Sequence, residues 1–339
     1  MPVNNPGEFL QAAVDSVLEQ THQKLELLLI DDHSDDGAIE HLLSSVTDQR
    51  LKVLTSNGTG IVDALNHGIE YASNEIIARM DGDDICHPNR LANQLAYKCL
   101  HPEVNIVGAK VELFKRESEI QGGYLCYQNW INRLTSHDQI EREFFIESAI
   151  PHPTALFTRK DFEALGGYKN SSWPEDYDLW CRALLADMRF GKPETQTMLY
   201  WRDHSSRTSR VDKRYSDIEF LKCKAYYLAK YLKIKKNIND VYIWGAGPTG
   251  QKLHDLLLAN DIQINGFIDI NQRLIGRFKK NLPITVVQPS SLKHTEMIKA
   301  SLSDSYCIVA VASRGAREKI RNFLLDLDLD EGTNFIFAA

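Results

Sequence analysis

The chain has 339 residues, 43% hydrophobic and 25% charged, which is enough apolar material for two domains with separate cores. Its net charge of -7 and pI of about 5.9 speak against a nucleic-acid binder, which would carry a basic face. Cys86, Cys99, Cys126, Cys181, Cys223 and Cys307 show no Cys-x-x-Cys spacing, so they read as reduced thiols of a cytoplasmic protein and exclude a zinc site. No apolar run approaches the roughly 20 residues of a membrane span, and no signal peptide is visible.

From the start, Glu8–Glu19 carries Phe9, Leu10, Ala13, Val14, Val17 and Leu18 at helical spacing. Leu25–Ile30 is a short apolar run ending in Asp31-Asp32, the pattern of a strand buried on both faces. A polar turn at 33–37 leads to a second helical stretch, and Lys52–Leu54 is a short strand. Asn57–Gly60 is a loop. Ile61–Ala72 is helical, and Glu75–Met80 is a second buried strand ending in Asp81-Gly82-Asp83-Asp84. This alternation predicts an α/β domain with a mostly parallel sheet. The middle is less regular. Strands are expected in Asn105–Phe114 and Thr154–Thr158, with a short helix over Arg159–Leu165 closed by Gly166-Gly167 and another over Asp176–Ala186. A long Tyr- and Lys-rich helix over Asp212–Lys236 joins the two halves. Val241–Trp244 then reads as a strand, followed by Gly245-Ala246-Gly247-Pro248-Thr249-Gly250, a helix to Ala259, and strands at Ile264–Ile268 and Cys307–Val311. The expected domains are 1–211, a linker helix over 212–238, and 239–339.

Two acidic clusters, Asp31-Asp32 and Asp81-Gly82-Asp83-Asp84, sit at the C-terminal ends of predicted strands, the edge where open α/β sheets bind ligands. Carboxylates this close repel one another unless a cation lies between them. An oxygen-rich site suits Mg²⁺ or Mn²⁺ shared with substrate phosphates. The bland reading, that acids end strands and cap helices, serves Asp31-Asp32 equally well. It serves the second cluster less well, because three carboxylates in four residues are costly to assemble. The third cluster, Pro174-Glu175-Asp176-Tyr177-Asp178, opens a helix. Spacing alone leaves two readings open there: carboxylates favoured by the helix dipole, or a general base that takes a proton from an attacking hydroxyl.

Taken together, these segments resemble the family 2 glycosyltransferases of the GT-A fold, over most of residues 1 to about 210. The resemblance is carried by Ser16–Gly37 ("SVLEQTHQKLELLLIDDHSDDG"), Gly60–Leu95 with its Asp-x-Asp, Pro151–Tyr168, and Trp173–Leu184 ("WPEDYDLWCRAL"). It implies roles for individual residues. Pro2, Asn4 and Asp32 hold the nucleotide base, Asp81 with Gly82 reaches the ribose and diphosphate, Asp83 binds the metal, and Asp176 is the base of an inverting displacement. Tyr200–His204 resembles a segment that closes over the diphosphate, with His204 near metal or phosphate, although a surface histidine is the plainer reading. Two features depart from the family: the chain starts inside the first strand, leaving it truncated, and Asn4 stands where an aromatic is common. The resemblance implies a nucleotide-diphosphate sugar donor, a UDP-sugar above all, and a glycan or lipid-linked acceptor. Any membrane contact would be peripheral, at the inner face, with Tyr226, Tyr227 and Tyr231 as one candidate surface.

Gly245, Gly247 and Gly250 form G-x-G-x-x-G between a strand and a helix, and Asp269 follows about 19 residues later, where an acid can hold a ribose hydroxyl. This half resembles small Rossmann-like domains found beside sugar-modifying enzymes. A structural or regulatory fold and a working NAD site both remain open for it. Two other functions compete with glycosyl transfer: a catalytically impaired fragment that binds a nucleotide or sugar-nucleotide, and an oxidoreductase centred on Gly245–Gly250.

Overall fold

Leu27–Asp31 reads Leu-Leu-Leu-Ile-Asp and is buried over its first four positions, as a central strand requires. It is the middle strand of a parallel sheet in which β1 (Pro2–Val3), β2 (Leu27–Asp31) and β3 (Leu51–Thr55) run in the order β1-β2-β3. The computed structural model describes residues 1–115, 120, 122–288, 291–303, 305–313 and 315–339. It divides into two units, Met1–Ile140 with Ala149–Ser216, and Glu141–Ser148 with Asp217–Ala339.

The first unit adds seven short strands: β4 (Ile76–Ala78), β5 (Ile85–Cys86), β6 (Val104–Val107), β7 (Val111–Phe114), β8 (Leu156–Thr158), β9 (Arg189–Gly191) and β10 (Leu199–Arg202). One sheet has the order β4-β8-β6-β9 and another β5-β10-β7. Antiparallel pairs enter through β8 and β5, and β6–β9 and β7–β10 are parallel. The helix Leu10–Leu18 turns Leu10, Val14, Val17 and Leu18 into a core shared with Val3, Leu29, Met80, Cys86, Val111 and Leu199. Each such buried side chain contributes about 1.5–3 kcal/mol. The strand expected to reach Met80 ends at Ala78. Arg79 still donates its amide to Ala155 O at 2.8 Å, but its side chain turns to Asp81. Arg90, 1% exposed, closes the turn beneath by donating to Arg79 O at 2.7 Å.

The second unit carries β11 (Asp240–Trp244), β12 (Gln263–Asp269), β13 (Phe278–Lys279), β14 (Leu282–Val286), β15 (Tyr306–Val309) and β16 (Phe335–Phe337), in the order β13-β14-β12-β11-β15-β16. All neighbours are parallel except the β13–β14 hairpin. The helix expected over Asp212–Lys236 runs from Asp217 to Tyr231 and ends in a π turn at Leu232–Lys236. It lies in the second unit, where Lys224 donates to Ile146 O at 2.7 Å and Ala338 O at 2.9 Å. Tyr227 and Tyr231 are buried there, which corrects their candidacy as a membrane-facing stripe. Among the described residues no helix is long and apolar enough to cross a membrane.

Candidate active site

Parallel pairing of β1 with β2 sets Val3 beside Asp31, so the residues that follow each strand emerge at one edge. There Asn4 Nδ2 donates to Asp32 O at 2.6 Å, and Asp32 N donates to Val3 O at 2.8 Å. Both oxygens of the Asp32 carboxylate accept from Gly60 N, at 3.0 and 2.8 Å. Gly60 has φ +92°, a conformation that disfavours a side chain, and it hands the chain into the helix Ile61–Tyr71. Asn4 and Asp32 are therefore brought together beside the 57–60 loop, with Pro2 one step back in β1, opposite Ile30.

The second acidic cluster packs against the same edge. A Cβ on Gly82 would lie 2.5 Å from Val3 Cγ1, so only glycine lets this loop close on β1. Carboxylate oxygens of Asp81, Asp83 and Asp84 all lie within 4.8 Å of one another. Asp81 is ion-paired with the buried guanidinium of Arg79. Asp83 Oδ2 stands 2.7 Å from His204 Nε2, and its backbone O accepts Arg202 Nε at 2.7 Å. Burial pushes the Asp83 carboxyl up. The His204 bond and the charges of Arg207, His204 and Arg79 outweigh that and hold it below the usual range. Asp84 is 1% exposed, and its Oδ1 accepts Arg202 N at 2.8 Å. Its Oδ2 is buried with no hydrogen-bond partner among the described residues. Burial, then the charges of Asp83 and Asp81, push the Asp84 carboxyl well up. A buried carboxylate oxygen without a donor is expensive unless a cation meets it. His204 is thus no ordinary surface histidine: it touches Asp83 and packs against Phe9 with ring centroids 5.1 Å apart.

The third cluster opens the helix Glu175–Leu185 behind Pro174. Glu175 is 1% exposed and accepts the Tyr215 hydroxyl on both oxygens at 2.7 Å, whereas Asp176 is half-buried, with Oδ1 accepting Tyr177 N at 2.7 Å. Of the two adjacent acids, Asp176 is the one solvent can reach. Asp178 is tied up by Trp173 and Arg182. The charges of Asp176 and Asp81 both bear on the buried Tyr168. Its hydroxyl is pushed up by burial first and then by Glu175, Asp176 and Asp81, with Arg79 opposing.

In the second unit, Gly245 has φ +115°, and a Cβ there would lie 2.8 Å from Ala310 O. A Cβ on Gly250 would overlap the Gly245 carbonyl oxygen, so this glycine packs helix against strand. A Cβ on Gly247 would meet open space. Asp269 ends β12 as expected, but Oδ2 accepts Ala246 N and Oδ1 accepts Asn271 N, both at 2.9 Å. The carboxylate closes the glycine loop on itself.

The family model for glycosyl transferase family 2 matches residues 1–166. Residues 1–166 belong to that family. The matched stretch holds Pro2, Asn4, Asp32, Asp81, Gly82 and Asp83 and stops before Asp176. The O-antigen biosynthesis glycosyltransferase WbnJ of Escherichia coli is 29% identical over 244 residues, 71% of this chain and 90% of that protein. The bifunctional glycosyltransferase pgtA of Dictyostelium discoideum is 30% identical over 249 residues, 64% of this chain but only 32% of its own length. The structure of S. aureus TarS 1–349 with UDP-GlcNAc matches with a TM-score of 0.50 at 15% identity, over 70% of this chain and 71% of that one. That likeness establishes a shared GT-A fold.

Several residues around the acidic clusters carried no signal in the sequence pattern. Arg202 and Tyr215 reach the acidic clusters across large sequence gaps, whereas Arg79 stands two residues before Asp81 and drew no notice there. His152, in the turn His152–Thr154, lies 2.7 Å from Tyr168 Oη and 3.7 Å from Glu175 Oε1. Burial and the charge of Arg79 push its pKa well down, so the ring is neutral.

Proposed function

We propose that the chain is an inverting glycosyltransferase that moves a sugar from a nucleotide-diphosphate donor to a hydroxyl acceptor in glycan synthesis. The observation that carries this reading is the orphaned carboxylate oxygen on Asp84 inside the Asp81–Asp83–Asp84 cluster, with the solvent-accessible Asp176 opening a helix of the same unit. The family membership of residues 1–166 supports it. The donor is assigned as a UDP-sugar, in keeping with the UDP-GlcNAc held by the fold neighbour TarS. The acceptor is assigned as a glycan or lipid-linked precursor, in keeping with the O-antigen role of WbnJ.

In this reading the nucleotide base lies over Pro2, Asn4 and Asp32, whose carboxylate fixes the Gly60 amide and so the shape of the loop. Asp81, locked by Arg79, presents its remaining oxygen to the ribose and diphosphate. The all-oxygen donor set of Asp83 with Asp81 and Asp84 fits Mg²⁺ or Mn²⁺. When bound, the ion supplies positive charge against the departing diphosphate. Arg207 adds a protein cation whose charge is felt at Asp83, and His204 adds its contact to Asp83 Oδ2. Asp176 accepts the proton of the acceptor hydroxyl as that oxygen attacks the anomeric carbon from the face opposite the leaving group, which inverts the configuration. Glu175 cannot serve, because it is buried and doubly bonded to Tyr215. No step is assigned to the second unit, whose candidate ribose-binding acid already closes the glycine loop.

The test is a panel of UDP-, GDP- and dTDP-sugars assayed for nucleoside diphosphate release with Mn²⁺ present and absent. Metal-dependent release from one donor, with a glycoside of inverted anomeric configuration, supports the proposal. Nucleotide binding without turnover, unchanged when Asp83 and Asp176 are both replaced, would instead support the binding-protein reading.

A further inference from the structure

The helix that carries Asp176 begins at Glu175, and the side chain of Glu175 is held by a hydroxyl from one segment and faces a histidine from another. Tyr215 Oη donates to it at 2.7 Å from the turn Lys213–Tyr215. His152 Nδ1 approaches it at 3.7 Å from the turn His152–Thr154, while His152 Nε2 lies 2.7 Å from Tyr168 Oη. Each contact is itself braced. Asp212 holds the first turn by accepting Arg214 N at 2.9 Å, Arg214 Nε at 3.0 Å and Arg214 Nη2 at 2.6 Å. Asn66 holds Tyr168 by two backbone bonds, at 3.0 and 3.1 Å. Tyr215 lies far beyond the stretch that the family match covers, and it touches none of the three clustered aspartates in the interactions described above.

We propose that Tyr215 is a positioning residue for Asp176, acting through the carboxylate of Glu175. The inference rests on the reading of Asp176 as the general base. Anchoring the first residue of a helix fixes the direction in which the second projects, and a base misplaced by about 1 Å loses on the order of 100-fold in rate. The same bond has an electrostatic side. Burial pushes the Glu175 carboxyl up, and the Tyr215 hydroxyl, Arg214 and Arg79 act against that in favour of the anion. Tyr215 is raised by burial and by the charges of Glu175 and Asp176, so it stays a phenol and a donor. The groups facing Glu175 are thus Tyr215 and Arg214 from one turn, His152 from the other, Tyr168, Arg79 and Asp176 itself. With the Tyr215 hydroxyl gone, Glu175 binds its proton more tightly. The anion next to Asp176 is then lost, Asp176 becomes more acidic, and it accepts a proton less readily.

The experiment uses the full chain and the nucleotide-sugar selected by the panel, with Mn²⁺, and compares wild type with Tyr215→Phe, Glu175→Gln and Asp176→Asn. The expected result for Tyr215→Phe is a loss of about 10-fold in kcat, the weight of one charge-assisted hydrogen bond. Donor KM stays unchanged, and the acid limb of the pH–kcat profile moves to lower pH. Glu175→Gln, which removes the anion directly, moves that limb the same way and decides the matter if Tyr215→Phe fails to fold. Wild-type kcat and pH profile in Tyr215→Phe with Asp176→Asn inactive would overturn the positioning role alone. A loss that follows the thermal midpoint while the acid limb stays in place would overturn it too, as that is a mere structural brace. Full turnover in Asp176→Asn would remove the general-base reading and the inference with it.

Discussion

Both units place aspartate beside glycine after a strand, Asp81–Asp84 beyond β4 and Asp269 at the end of β12, and the two places behave differently. At Asp81–Asp84 the acids meet the Arg79 guanidinium, the Arg202 backbone amide and the His204 ring, and one buried oxygen of Asp84 meets nothing among the described residues. At Asp269 both oxygens accept amides of their own loop, from Ala246 and Asn271. A strand-end acid marks a ligand edge in either fold. What separates a poised site from a finished turn is the partner list. The first edge keeps a buried acceptor with no partner among the described residues, whereas each oxygen of Asp269 holds one amide of its own loop.

The largest effect that would break this contrast belongs to the proposed base. Asp176→Asn should lower glycosyl transfer on the order of 10³-fold, with the fold intact by circular dichroism and donor affinity little changed. Next comes the acidic cluster: Asp83→Ala should cost roughly 100-fold or more in metal-dependent turnover and weaken nucleotide-sugar binding, read by calorimetry with and without Mn²⁺. In the second unit the effects should fall on stability. Gly250→Ala forces a methyl group onto the Gly245 carbonyl and should destabilise by about 2–3 kcal/mol. Gly247→Ala, with open space above it, should be within about 0.5 kcal/mol of wild type, and thermal unfolding of the pair sharpens the point. Between these two falls Asp269→Ala, expected to cost about 1 kcal/mol through two lost loop bonds and to leave donor turnover at the wild-type rate.

The legible parts of this protein were those with a long period or a punctuated one. Leu27–Asp31 and the helix Leu10–Leu18 stood out because apolar residues recur over whole turns or fill a strand. The strands β5, β9 and β10 span only two to four residues, too few for any period, yet β10 delivers Arg202 to the acidic cluster and leads directly to His204. The acidic clusters were visible as composition, but partners such as His204 and Arg202 were not, because they depend on how the chain returns. The sequence also pointed to Asp269 as a ligand for a ribose. Its bonds to the loop could not be read there, since nothing in the spacing distinguishes a free carboxylate from one that caps its own turn.

The central claim is that Asp83 and Asp176 serve one reaction in different roles, and calorimetry of UDP with Mn²⁺, run beside nucleoside diphosphate release, tests it most directly. The account predicts that Asp83→Ala loses both metal-dependent binding and turnover, whereas Asp176→Asn binds as wild type and does not turn over. Equal binding and equal turnover in both variants would contradict it.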